Sequence, residues 1–141
     1  MATTVTNGTT SLASFESVYG KYRVFILDID GTIMNGDALI EGTADSVYRL
    51  LMDESKKVLF YTNGGYCLLE HSFCKIYKWL STSLSADKWT HIEPKVTMSI
   101  VYNTASLTAK WLASKLQAGA KVLTFGNEGL NDELVSVGLN A

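Results

Sequence analysis

The chain has 141 residues, of which 47% are hydrophobic and 18% charged, with a net charge of −2 at neutral pH. That balance excludes a disordered tail, and no stretch approaches the ~20 uncharged apolar residues of a membrane-spanning helix. Twelve Lys and Arg residues form no basic stripe for a nucleic-acid backbone, and two cysteines make no disulfide scaffold. A cytoplasmic protein with reduced thiols is expected, with neither nucleic acid nor membrane as partner.

Residues 1–12 are rich in Thr and Ser and show no hydrophobic period, so they are expected as a flexible leader. Ser14 to Tyr22 predicts a short helix with Phe15, Val18 and Tyr19 on one side. Val24-Phe25-Ile26-Leu27 is a continuous apolar run stopped by Asp28-Ile29-Asp30-Gly31, the pattern of a strand buried on both faces. Gly31, Gly36 and Gly42 make the next segment a loop or hairpin. Thr43 to Ser55 spaces Ala44, Val47, Leu50 and Leu51 for one buried helical face, with Thr43 as N-cap. Val58-Leu59-Phe60-Tyr61 is a second buried strand, ending at Thr62-Asn63-Gly64-Gly65, and the intervening length suits a parallel crossover. A helix over about 68–80, an irregular segment over 81–95 and a short strand near 96–100 follow. A helix over about 104–116, a strand over 121–125 and a helix over 130–137 closed by Gly138 complete an α/β pattern.

In open α/β sheets the ligand sits outside the carboxyl ends of the strands. The first two strands end in the two most polar, chemically equipped segments of the chain. Asp28 and Asp30 place two carboxylates at one strand end, an arrangement that needs a cation or a shared proton. Oxygen donors with one or two carboxylates suit Mg2+ beside a substrate phosphate. Gly31 frees the turn and leaves an N–H able to approach an anion. Thr62, Asn63 and the glycine turn after them offer a hydroxyl, an amide and N–H groups, which are phosphate ligands by type. Cys67 and Cys74 share a helical face and are expected as buried small hydrophobes, and Trp79, Trp89 and Trp111 as packing groups. His71 and His91 have no partner that suggests catalysis.

Phe25-Ile26-Leu27-Asp28-Ile29-Asp30-Gly31-Thr32-Ile33 resembles motif I of the haloacid-dehalogenase-like (HAD) phosphohydrolases, an apolar run followed by DxDGT. Leu59-Phe60-Tyr61-Thr62-Asn63 resembles their motif II. Gly36 with Leu39-Ile40-Glu41-Gly42 is similar to the "G…IxGA" segment of the branch containing 4-nitrophenyl and phosphoglycolate (pyridoxal-phosphate) phosphatases. Gly126 to Leu134, ending at Val137-Gly138, is similar to that branch's "GxxGLxxEL…aG" segment. The four stretches keep the family's order over about 24–141.

The resemblance implies a HAD-like, Rossmann-type parallel core with helices on both faces over 13–118, and the beginning of an α/β cap over 119–141. It implies Mg2+-dependent hydrolysis of a small phosphorylated metabolite through an aspartyl-phosphate. Asp28 is then the nucleophile and Asp30 the general acid/base, both at the metal, with Thr62, Asn63 and Gly64 at the phosphate. Two departures stand out. Gly64-Gly65 replace the branch's second asparagine and serine. The lysine that offsets phosphate charge and the late acidic metal ligand have no counterpart, so the chain resembles the front half of a phosphatase. A second reading follows, a non-catalytic HAD fragment or pseudo-phosphatase acting as a binding module. Without late strands, Val24–Leu27 is also expected as a sheet edge open to self-association.

Overall fold

The computed structural model describes residues 2–6, 9–13, 15–36, 38–64 and 68–141, with side chains from Phe15 onward. Ala2–Thr6 (β1) and Thr9–Ala13 (β2) pair antiparallel as a sheet of their own, where a flexible leader was expected. Their threonine content suits extended backbone, a preference that absent hydrophobic periodicity does not reveal. Helix α1 (Phe15–Lys21) sets Phe15, Val18 and Tyr19 against the main core. At its C-terminal end the Lys56 ammonium donates to the carbonyls of Tyr19 and Tyr22 at 2.6 and 2.9 Å.

Strand β3 (Val24–Asp28) leads into the hairpin β4 (Met34–Asn35) and β5 (Ala38–Leu39), then α2 (Thr43–Met52) and β6 (Lys57–Thr62). β6 runs parallel to β3 with Asp28 opposite Tyr61, the expected crossover. Thr43 is not the N-cap of α2. Gly42 takes that position at φ +77°, where a β-branched residue is strained, and the Thr43 hydroxyl donates to the Ile40 carbonyl at 2.6 Å.

Helix α3 (Leu69–Ser83) comes next. The segment expected as irregular holds α4 (Ala86–Ile92), whose N-cap Ser85 accepts the Lys88 N–H, and a 3-10 turn at Glu93–Lys95. Tertiary packing holds it in place: Ile92 is fully buried, and Trp89 meets the Tyr77 ring edge-on with centroids 4.9 Å apart. The strand expected near 96–100 lies later. Met98–Ile100 is a second 3-10 turn, and β7 (Val101–Asn103) pairs parallel to β6 with Asn103 opposite Thr62. Helix α5 (Thr104–Ala113) is opened by a capping box of Asn103 and Ser106. Helix α6 (Glu128–Ser136) is followed by Gly138 at φ +84°. No strand forms over 121–125. Among the described residues that segment makes an isolated bridge between Lys121 and Asn140, leaving Leu123 and Phe125 82% and 92% exposed.

The main sheet is parallel, in the order β3-β6-β7, with β3 at an edge as expected. Side chains alternate across it. Phe25, Val58, Phe60 and Val101 lie in the main core with Leu50, Ile76 and Leu80. The opposite face is open at β3, where Val24 and Ile26 are 52% and 67% exposed, so the apolar run is not buried on both faces. A smaller cluster of Ala109, Leu134 and Leu139 joins α5 to α6. Cys74 and Trp111 are exposed rather than packed, and Cys67 lies outside the described residues. Among the described residues no helix is long and apolar enough to cross a membrane.

Candidate active site

The turn after β3 is closed by its own backbone. The Ile29 carbonyl accepts the N–H groups of both Ile33 and Met34 at 3.0 Å, while the Ile29 side chain is buried. Gly31 sits at φ +86° and donates its N–H to the Met34 carbonyl at 2.5 Å. That N–H is therefore committed to the turn, not offered to an anion as the sequence suggests. The glycine is needed for the left-handed conformation that lets the chain reverse after Asp30.

Beyond this turn the ends of β3 and β6 meet through their side chains. The buried Thr62 hydroxyl donates to Asp30 Oδ2 at 3.3 Å and accepts the Gly64 N–H at 3.1 Å. The other carboxylate oxygen, Asp30 Oδ1, lies 3.0 Å from the Lys75 ammonium. Lys75 is 34% exposed and Asp30 49%, so this is a solvent-screened pair of the kind worth little to stability. Asp30, Thr62 and Gly64 open with Ile29 onto a cavity of about 250 Å³, and α3 completes its wall with His71, Ser72 and Lys75.

Helix α3 is held in register by a long-range contact. The buried Glu133 of α6 accepts the Leu69 N–H at 2.6 Å, satisfying one of the open N–H groups of the first turn of α3. His71 and Lys75, four residues apart, then share the helix face that lines the cavity. From the first residue of α5, the Thr104 hydroxyl donates to the Asn63 carbonyl at 3.1 Å and ties the start of that helix to the turn after β6.

Of the five residues expected at the site, Asp30, Thr62 and Gly64 come together. Asp28 ends β3 one residue short of the turn, exposed, its Oδ1 accepting the Ile29 N–H at 2.9 Å; it does not line the cavity. Strand alternation puts it on the open face with Ile26. Asn63 is exposed and also outside the lining. Sequence reasoning missed Lys75 and dismissed His71. The available signal was their helical spacing just after a polar strand end. Among the described residues no group of three or more His, Cys, Asp and Glu side chains gathers to hold a metal.

The family profile described as haloacid dehalogenase-like hydrolase matches residues 25–140, and the chain belongs to that family. It is 30% identical over 125 residues to the 4-nitrophenylphosphatase of Schizosaccharomyces pombe, an alignment covering 89% of this chain and 38% of that one. The p-nitrophenyl phosphatase from Archaeoglobus fulgidus has the same core, with a TM-score of 0.65 at 24% identity over 84% of this chain and 40% of its own. The glycerol phosphate phosphatase from Mycobacterium tuberculosis, solved in complex with magnesium, gives 0.62 at 26% identity over 85% of this chain and 31% of its own. The chain thus spans 31–40% of the length of these relatives.

Proposed function

We propose that this chain carries the nucleophile and acid/base end of a phosphatase for small phosphate monoesters, of the 4-nitrophenyl phosphate, phosphoglycolate or pyridoxal phosphate type. The observation that carries the reading is the Thr62–Asp30 hydrogen bond at the joined carboxyl ends of two parallel strands. The relatives' names as phosphatases support it.

Asp28 attacks phosphorus, and the bond from phosphorus to the ester oxygen breaks as an aspartyl-phosphate forms. Asp30 gives its proton to the departing oxygen, so the product leaves as an alcohol. Asp30 then takes a proton from water, whose oxygen attacks phosphorus. The bond to Asp28 breaks, releasing inorganic phosphate and restoring the Asp28 carboxylate beside a protonated Asp30. The Ile29 N–H holds one Asp28 oxygen and fixes the carboxylate's direction. The Thr62 hydroxyl turns from Asp30 to a phosphoryl oxygen, with Asn63 and Gly64 beside the substrate.

The donor set fits Mg2+ in type, being one carboxylate and one carbonyl oxygen, which leaves much of the shell to water. Asp28 and the Asp30 main-chain carbonyl would hold the ion, which when bound neutralises charge on the phosphoryl oxygens. Residues 119–141 are read as the start of a cap over this site, and the β3 edge as a surface for homo-oligomer formation. One alternative is a non-catalytic module that binds anions, favoured by the finding that among the described residues no three His, Cys, Asp or Glu side chains gather.

Replacing Asp28 by Asn separates the two. An amide of nearly equal volume cannot serve as the nucleophile, so turnover of 4-nitrophenyl phosphate at fixed Mg2+ should fall by at least about 10³-fold. Stability should stay within about 0.5 kcal/mol, because the side chain is exposed. Unchanged turnover refutes the nucleophile assignment.

A further inference from the structure

We propose that Ser72, the fourth residue of α3, donates its hydroxyl to an oxygen of the phosphoryl group in the cavity beside Asp30. This inference rests on the phosphatase reading above and deepens it by naming a further residue that touches the substrate. Ser72 is only 6% exposed, yet it lines the cavity with Asp30, Thr62 and Gly64. Among the described residues its side chain makes no hydrogen bond, and the only side-chain polar atom sealed in protein without a partner is Trp79 Nε1. The Ser72 hydroxyl is therefore open to the cavity that the residue lines.

Helical serines ordinarily satisfy themselves on the preceding turn. Here Ser46 donates to the Gly42 carbonyl at 3.0 Å, Ser81 to Lys78 at 2.9 Å and Ser136 to Glu133 at 2.7 Å. Ser106, buried like Ser72, accepts the Asn103 N–H at 3.4 Å and donates to the Asn103 carbonyl at 3.1 Å. Ser72 has no such bond, and a buried hydroxyl without a partner destabilises a fold until a ligand oxygen accepts from it. Its place is fixed, since Glu133 accepts the Leu69 N–H and the side chains of Leu69 and Ile76 lie in the main core. An anion entering the cavity does not meet a bare carboxylate, because the Asp30 charge is already offset by the Lys75 ammonium at 3.0 Å. The ligand class is a phosphate monoester dianion, or the inorganic phosphate that hydrolysis leaves.

Inorganic phosphate is the direct probe. Titrated into the 141-residue chain at millimolar concentration and followed by 1H–15N NMR, it should shift the amides of Asp30, Thr62, Gly64 and Ser72 together. Ser72→Ala should weaken binding roughly tenfold, the loss of one hydrogen bond to a charged ligand. Ser72→Cys, close in volume but a weak donor, should weaken it similarly. Without phosphate, Ser72→Ala should melt at or above the parent temperature, since alanine is the better helix former and leaves no hydroxyl unpaired. A serine kept for structure gives the opposite pair of results, a lower melting temperature with unchanged affinity, and that overturns the proposal. So does a parent that binds no phosphate, or one whose shifts are confined to another surface. The outcome is separable from the phosphatase reading. Phosphate binding that depends on Ser72, alongside hydrolysis that ignores Asp28→Asn, rejects the mechanism and keeps the contact. Hydrolysis lost in Asp28→Asn, alongside phosphate binding indifferent to Ser72, rejects the contact alone.

Discussion

The Tyr19 hydroxyl donates to Asp53 Oδ2 at 2.5 Å, and the Ser55 N–H donates to Asp53 Oδ1 at 2.9 Å, so one carboxylate ties α1 to the turn after α2. The Tyr19 hydrogen bond, followed by those from Ser55, holds the Asp53 carboxyl down to about 2 from its ordinary 3.8, while the bond to Asp53 raises the Tyr19 phenol above its ordinary 10.0. Both shifts describe a contact present with Asp53 ionised and Tyr19 protonated. Its stabilisation is therefore complete above pH 3.8 and lost as pH falls toward 2. At the other end it is complete below pH 10.0 and lost as pH rises through the raised phenol value. Tyr19→Phe should lower the melting temperature across the neutral range, with the gap from the parent closing at both extremes. A gap that persists at pH 2 assigns the effect to packing instead. Asp30 and Thr62 were legible in the sequence because polar residues that stop an apolar run mark a strand end. Lys75 was not, because which face of α3 meets the cavity depends on the Glu133–Leu69 contact, whose partners are 64 residues apart.

Among the described elements, β3 presents an exposed apolar edge. It forms the edge of the parallel sheet, carries no Lys or Pro, and leaves Val24 and Ile26 in solvent. Unpaired backbone beside exposed apolar side chains is a template for another chain, and a lysine there is the ordinary protection. The parent should therefore gain mass with concentration in micromolar sedimentation, and Ile26→Lys should remain monomeric. A parent that is monomeric throughout removes the edge from the account. β3 and β6 were recognisable because each is a continuous apolar run with its own polar stop. The run over 121–125 looks the same locally, yet among the described residues it forms only an isolated bridge from Lys121 to Asn140. The stretch over 86–103 misled in the opposite direction. Its helix and displaced strand are fixed by Ile92, Trp89 and the pairing of Val101 with Phe60, none of which leaves a local period.

At the scale of the molecule, the chain exposes 8946 Å², more than the ~7,200 Å² of a compact monomer of this mass. The open β3 face, Leu123 and Phe125 are apolar parts of that surface. The parallel α/β core was readable from the order of four short segments, since topology follows from strand, crossover and strand regardless of what covers the sheet. The open face was not readable, because an apolar run does not record whether a neighbour is present to bury it.

The central claim is that the ends of β3 and β6 accept a phosphoryl group on Asp28. Acid-quenched peptide mass spectrometry tests it most directly, after brief incubation of the chain with Mg2+ and 4-nitrophenyl phosphate. The account predicts one acid-stable phosphoryl group, located on Asp28 in the parent and absent from Asp28→Asn. A phosphoryl group on any other side chain, or none on the parent while 4-nitrophenol accumulates, contradicts it.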